Sequence, residues 1–198
     1  EYHEKVMVGP FGVQFFNAGH VLGSSFLVVE ADGKRIACSG DLGNSPSPLL
    51  GMKEKLPAVE YCLVESAYGG RRHENLQERK EILEDLIEDT GRDGGVLMIP
   101  AFALERTQEM IYELHELVQN RRIPKIPVFV DSPLAIKLTA IYQKYSEDET
   151  YFNKESIKTI RKGDAIFDFP NLHLTLSTEQ SKEIANVPPP KVVMAGSG

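Results

Sequence analysis

Two short stretches carry residues that could do chemistry together. His20 lies in Ala18-Gly-His-Val-Leu-Gly-Ser24, and Asp41 lies in Ser39-Gly-Asp-Leu-Gly43. An imidazole and a carboxylate are ligand types that suit a transition metal such as zinc, and flanking glycines let backbone approach a ligand closely. The two residues are 21 positions apart, so something must bring them together. Between them run an apolar stretch, Asp32-Gly33 and a second apolar stretch. Asp-Gly between two strand-like runs predicts a hairpin with a type I′ turn, which needs positive φ at both central residues. Counting outward from that turn, Glu30 faces Arg35, Val29 faces Ile36, Leu27 faces Cys38 and Ser24 faces Asp41. The Glu30–Arg35 match is an opposite-charge cross-strand pair and supports the register. His20 and Asp41 then emerge at the same open end of the hairpin. Two ligands are fewer than a catalytic zinc takes from protein. On these residues alone, an ordinary loop histidine and turn aspartate stand beside the metal reading.

Composition sets the frame. The chain has 198 residues, 41% hydrophobic and 26% charged, an ordinary globular balance with enough length for one or two domains. It contains no apolar run long enough to span a bilayer and no signal-peptide pattern. Cys38 and Cys62 each sit inside an apolar run, which predicts buried, inert thiols in a reducing, cytoplasmic setting. The net charge of −7 argues against a broad nucleic-acid-coating surface but leaves room for local phosphate contacts. The chain starts at Glu1 and stops where the apolar run from Lys191 enters Gly196-Ser-Gly198. Both ends are expected to continue in a longer protein.

The rest of the chain supplies supporting elements. Tyr61-Cys-Leu-Val is an apolar run that delivers Glu65 at its carboxyl end, where α/β folds build their sites. From residue 75 onward, helical and strand patterns alternate: helix 75–90, strand 95–99, helix 104–120, strand 127–131, helix 133–145, helix 154–161, strand 172–176 and strand 192–194. Leu76, Ile82, Leu83, Leu86 and Ile87 form the inward stripe of the first helix. Ser132 and Pro133 stand at N-cap and first helical position. The alternation implies parallel strands with right-handed crossovers, a Rossmann-like sheet flanked by helices. The absence of Gly-x-Gly-x-x-Gly leaves dinucleotide binding unsupported. His115 between Glu113 and Glu116 reads as an exposed helical residue, and His173 as the polar side of an alternating strand. Arg106 opens a helix after a strand, a position that suits phosphate but equally an exposed surface arginine. Ser197 between two glycines could offer backbone N–H groups to a phosphate, or be a plain loop. Arg71-Arg72-His73 is a basic cluster between the halves.

These motifs, in this order, resemble the metallo-β-lactamase fold, and within it the nucleic-acid-processing β-CASP family. Ala18–Ser24 and Ser39–Gly43 resemble its third and fourth metal-ligand motifs. Val64-Glu-Ser-Ala-Tyr-Gly-Gly-Arg-Arg-His73 resembles its motif A, with Ala67 where the usual form has Thr. Pro100-Ala-Phe-Ala-Leu-Glu-Arg-Thr-Gln-Glu109, Phe129-Val-Asp-Ser-Pro-Leu134 and Val193-Met-Ala-Gly-Ser-Gly198 resemble the β-CASP signatures, with Glu105 where the family often has Gly. The resemblance covers nearly the whole chain. It implies part of a metallo-β-lactamase αββα sandwich over residues 1–74, joined to a β-CASP domain over 75–198. It further implies a zinc-dependent ribonuclease that hydrolyses phosphodiesters of single-stranded RNA, with two Zn2+ per complete site and a homodimer as an open assembly. His20 would bind one zinc, Asp41 would bridge both, and Glu65 would orient a downstream histidine; Arg106 and Ser197 would touch substrate. The family's His-x-His-x-Asp-His run is not formed by any of His3, His20, His73, His115 or His173. The chain alone is therefore expected to be inactive. A non-catalytic scaffold subunit of an RNA-processing complex is the alternative.

Overall fold

A computed structural model describes residues 1–44, 46–71 and 76–196. The chain divides into two compact units, Glu1–His73 with Glu149–Asn153, and Glu74–Asp148 with Lys154–Gly198.

The first unit is a five-stranded sheet in sequence order: β1 (Val6–Val8), β2 (Phe11–Asn17), β3 (Ser25–Ala31), β4 (Lys34–Cys38) and β5 (Tyr61–Leu63). β1 to β4 are antiparallel, and β5 joins β4 in parallel. Asp32 and Gly33 both adopt positive φ, 51° and 72°, so the predicted tight turn forms. It sets Glu30 opposite Arg35, Val29 opposite Ile36 and Leu27 opposite Cys38. Phe26, Val28 and Ala37 form the buried core on one face, with Phe16 and Val59 packed against them. Phe16 and Phe26 stack with centroids 5.1 Å apart. The opposite face carries Phe15, Leu27, Cys38 and Leu63 in register, and Phe15 and Leu63 are exposed. Cys62 is also exposed and Cys38 is half-buried, which corrects the expectation of two buried thiols. β5 is an edge strand with every residue exposed, and an apolar run says nothing about what covers it. A distant segment completes this unit. Phe152 bridges Leu50, the Gly51 amide donates to the Tyr151 carbonyl at 2.8 Å, and the Asn153 amide donates to the Leu49 carbonyl at 2.9 Å. Leu49 and Phe152 are fully buried there.

The second unit is an all-parallel four-stranded sheet: β6 (Val96–Pro100), β7 (Val128–Asp131), β8 (Leu172–Leu174) and β9 (Lys191–Ala195), in the spatial order β6-β9-β7-β8. The last strand enters between the first two. β7 and β9 are central, and Val128, Val130, Val192 and Met194 are buried, the continuous burial that a sheet covered on both faces requires. The helices are α1 (Leu76–Asp93), α2 (Arg106–Gln119), α3 (Pro133–Tyr145), α4 (Lys154–Arg161) and α5 (Thr178–Glu183). α1 packs on β6 and β9 through Leu83 and Ile87. Ile82 and Leu86, expected inward, are exposed, which corrects that part of the stripe. Ser132 caps α3 as its position predicts, accepting from the Ala135 amide, with Pro133 at the first helical position. α5 is not foreseen in the sequence reading, although Ser177 and Gln180 form a complete capping box.

His115 is corrected more sharply. It is only 2% exposed. Its Nδ1 lies 3.0 Å from the Asp168 carbonyl oxygen, and its Nε2 lies 3.0 Å from an Asp164 carboxylate oxygen. The ring pins the connection between α4 and β8 onto α2. His173 is exposed on β8 and stacks on Phe129, with centroids 5.0 Å apart.

Candidate metal centre and carboxyl edge

In the first unit, two loops extend from the sheet and meet at backbone level. The Gly43 amide donates to the Ala18 carbonyl at 2.9 Å. A Cβ at Gly43 would lie 1.6 Å from the Gly19 carbonyl oxygen and 2.7 Å from the His20 nitrogen. Only glycine permits this approach, so the His20 loop and the Asp41 loop are in direct contact. Each loop is also closed on itself or its support. Ser24 does not continue the ladder, which ends at Leu27–Cys38. Instead its hydroxyl accepts from the amides of His20 at 2.9 Å and Val21 at 3.1 Å. Gly19 has φ +60°, and a Cβ there would lie 2.8 Å from the Lys53 nitrogen. The Asn17 side chain accepts from the Gly19 amide at 2.7 Å, and Glu54 accepts from the Asn17 amide at 2.8 Å. Lys53 Nζ donates to the Gly43 carbonyl at 2.8 Å. Residues 51–54 thus brace both loops, a role with no signal in the sequence because Lys and Glu are ordinary loop residues. His20 and Asp41 are both exposed.

Glu65 follows β5 and ties into the same loops. Its amide donates to Ser39 Oγ at 2.9 Å. Its carboxylate accepts from the Leu42 amide at 3.4 Å and from the Ala67 amide at 2.9 Å. The acid therefore touches the residue after Asp41. Ala67 contributes through backbone, so the departure from Thr at this position leaves that contact intact.

The donor set can be tested against a metal on its chemistry. Imidazole plus carboxylate fits zinc, but among the described residues no group of three or more His, Cys, Asp or Glu could hold an ion. His20 and Asp41 offer two donors, fewer than a catalytic zinc takes from protein.

In the second unit, three loops gather at the carboxyl ends of β6, β7 and β9, where open parallel sheets bind ligands. Gly196 sits between two of them, its built Cβ 3.5 Å from Ser132 Oγ and 3.6 Å from the Ala101 carbonyl. Asp131 is braced here by Thr175 at 2.7 Å and Ser181 at 2.8 Å. Arg106 is the first residue of α2. Its guanidinium is half-exposed and donates to Glu109 at 2.8 Å, which leaves the rest of its donor fork for another anion. Glu105, the N-cap, has φ +65°, the left-handed region that favours glycine. Here Glu105 is buried and its carboxylate accepts from the Tyr142 hydroxyl. Ser197, Arg72 and His73 lie outside the described residues. Among the described residues no helix is long and apolar enough to cross a membrane.

An antiparallel sheet followed by a parallel sheet flanked by helices places the chain in the α/β class. The chain belongs to the β-CASP family of the metallo-β-lactamase fold, a metal-dependent family. The Beta-Casp domain model matches residues 107–198. Ribonuclease TTHA0252 of Thermus thermophilus is 34% identical over 198 residues, covering 100% of this chain and 45% of the relative. Cleavage and polyadenylation specificity factor subunit 3-I of Arabidopsis thaliana is 36% identical over 148 residues, 73% of this chain and 21% of the relative. An RNase J-like protein of Methanocaldococcus jannaschii is 32% identical over 148 residues, 73% of this chain and 35% of the relative. The chain thus spans less than half the length of each of these relatives.

Proposed function

We propose that this chain is the central part of a zinc-dependent ribonuclease that processes or degrades RNA in the cytoplasm. Residues 1–74 are its portion of the metallo-β-lactamase domain and residues 75–198 its β-CASP domain. The backbone contact of Gly43 with Gly19 and His20 carries the reading, because it seats an imidazole loop against a carboxylate loop. His20 and Asp41 would hold the metal, with further ligands expected from other segments of the protein. When bound, the zinc pair supplies water activated toward a phosphodiester. This chain's residues do the rest. Asp41 would supply the negative charge that a metal site needs. Glu65 fixes the Asp41 loop through the Leu42 amide and orients a histidine from another segment. Arg106 and Ser197 hold backbone phosphates of a single strand. Relatives named as a ribonuclease, a cleavage factor subunit and an RNase J-like protein support RNA as the substrate.

The test is Asp41→Asn in the full-length protein. Cleavage of single-stranded RNA should fall to background with the fold unchanged by circular dichroism, since an amide lacks the negative charge that would hold a metal cation. Near wild-type cleavage by this variant sinks the assignment, and a full-length wild type without cleavage favours the scaffold reading. The isolated chain should bind Zn2+ weakly in calorimetry and cleave nothing, because a catalytic zinc takes three protein ligands.

A further inference from the structure

The segment between β6 and α2 is built unlike an ordinary loop. Residues 102–106 alternate in exposure: Phe102, Leu104 and Arg106 are exposed, Ala103 is half-buried and Glu105 is buried. Phe102 is 76% exposed, the highest value among the large apolar side chains described. An aromatic ring so placed loses the apolar burial that normally offsets its ordering. Yet its backbone is fixed. The Phe102 carbonyl accepts from the Thr107 amide at 3.2 Å and the Thr107 hydroxyl at 2.8 Å. The Ala103 carbonyl accepts from Gln108 Nε2 at 3.1 Å, and the Leu104 carbonyl from the Arg106 amide at 2.8 Å. Three successive carbonyls are thus anchored to α2, whose Thr107 and Gln108 side chains are buried. A rigid ribbon holds out an aromatic ring, an aliphatic side chain and a cation, at the carboxyl edge of a parallel sheet.

We infer that Phe102 is a stacking platform for an unpaired base of single-stranded RNA, with Arg106 on the neighbouring phosphate. An aromatic face beside a guanidinium is the arrangement by which proteins hold single strands without reading their sequence. The only charged side chain on the exposed side of this ribbon is Arg106; one of its nitrogens is taken by Glu109 at 2.8 Å, and the remaining donors of its half-exposed guanidinium are those that would meet a phosphate. The assignment rests on the RNA reading above and adds a named residue and contact type to it.

The experiment uses the absence of tryptophan from the chain. Phe102→Trp introduces a single indole at the platform, keeps the aromatic face and reports stacking by fluorescence quenching. Labelled oligouridylate and an abasic ribose-phosphate strand of the same length are titrated into the wild type, Phe102→Trp, Phe102→Leu, Phe102→Ala and Arg106→Gln. Oligouridylate should quench the indole of Phe102→Trp. Phe102→Ala and Phe102→Leu should both weaken oligouridylate binding about ten-fold while leaving abasic binding unchanged. Arg106→Gln should weaken both strands and lower the salt dependence. The inference is overturned by an indole that oligouridylate leaves unquenched, by a buried-type indole emission in the free Phe102→Trp variant, by equal oligouridylate affinity of wild type and Phe102→Ala, or by a wild type that binds neither strand. A wild type that binds neither strand also removes Arg106 from its phosphate role, whereas metal-dependent cleavage by the full-length protein decides the nuclease reading separately.

Discussion

The two units solve burial in different ways. The parallel sheet of the second unit buries its central strands completely, and its core residues Val128, Val130, Val192 and Met194 touch no solvent worth counting. The antiparallel sheet of the first unit buries one face and leaves Phe15 and Leu63 of the other exposed. Stability in the second unit comes from side-chain packing. In the first unit the His20 and Asp41 loops are fixed by backbone contact and a few polar braces around Gly19, Gly43 and Lys53. A fold element can tolerate an uncovered face more easily than a ligand loop can tolerate a displaced backbone, because apolar exposure costs in proportion to area and a backbone clash does not scale down.

Gly43→Ala probes this contrast with the largest expected effect. Its Cβ would meet the Gly19 carbonyl at 1.6 Å, so the loops must separate, at a cost of at least about 3 kcal/mol. In the second unit Gly95→Ala meets nothing within 4 Å and should be neutral. Denaturant melts of both variants check the pair, and a silent Gly43→Ala would break the comparison.

Leu114→Ala should remove about 3 kcal/mol, because Leu114 is completely buried on α2. Leu63→Ala on the uncovered face should change stability by less than about 0.5 kcal/mol. Equal losses in urea denaturation would mean that the first unit's outer face is packed after all.

Ser39→Ala should cost about 1.5 kcal/mol, since Ser39 Oγ accepts from the Glu65 amide and donates to the Gly40 carbonyl at 2.7 Å. In the full-length protein the same change should reduce cleavage without abolishing it, as Asp41 remains. Activity equal to wild type would show that Glu65 needs no such support.

The smallest effect is a pH dependence confined to the second unit. Burial raises the Glu113 carboxyl above its ordinary value, Arg79 opposes this and Glu109 adds to it. An acid with a raised folded pKa holds its proton more tightly when folded. Its contribution is therefore most favourable at low pH and is lost as pH rises from about 4.5 through the raised value. Glu113→Gln should flatten that decline and exceed the wild type at neutral pH. Parallel slopes for the two proteins across this window would remove Glu113 as the cause.

Much of the local structure was legible in the chain. Asp32-Gly33 fixes the hairpin and its register, because few turns accept positive φ twice in succession. The cap at Ser132 and the strand–helix alternation after residue 75 are likewise local signals, and α5 could have been found from Ser177 and Gln180. The residue types at His20, Asp41 and Glu65 only suggest a metal centre, and the roles proposed for them rest on the family resemblance. Tertiary structure alone decided the rest. It placed β9 between β6 and β7, and it brought residues 149–153 beside Leu50. It buried His115 against Asp164 and Asp168, exposed Cys62, and assigned Lys53 to the Gly43 carbonyl. Each of these depends on which distant segment lies opposite, and residue type and periodicity describe only what a segment offers, not what it meets.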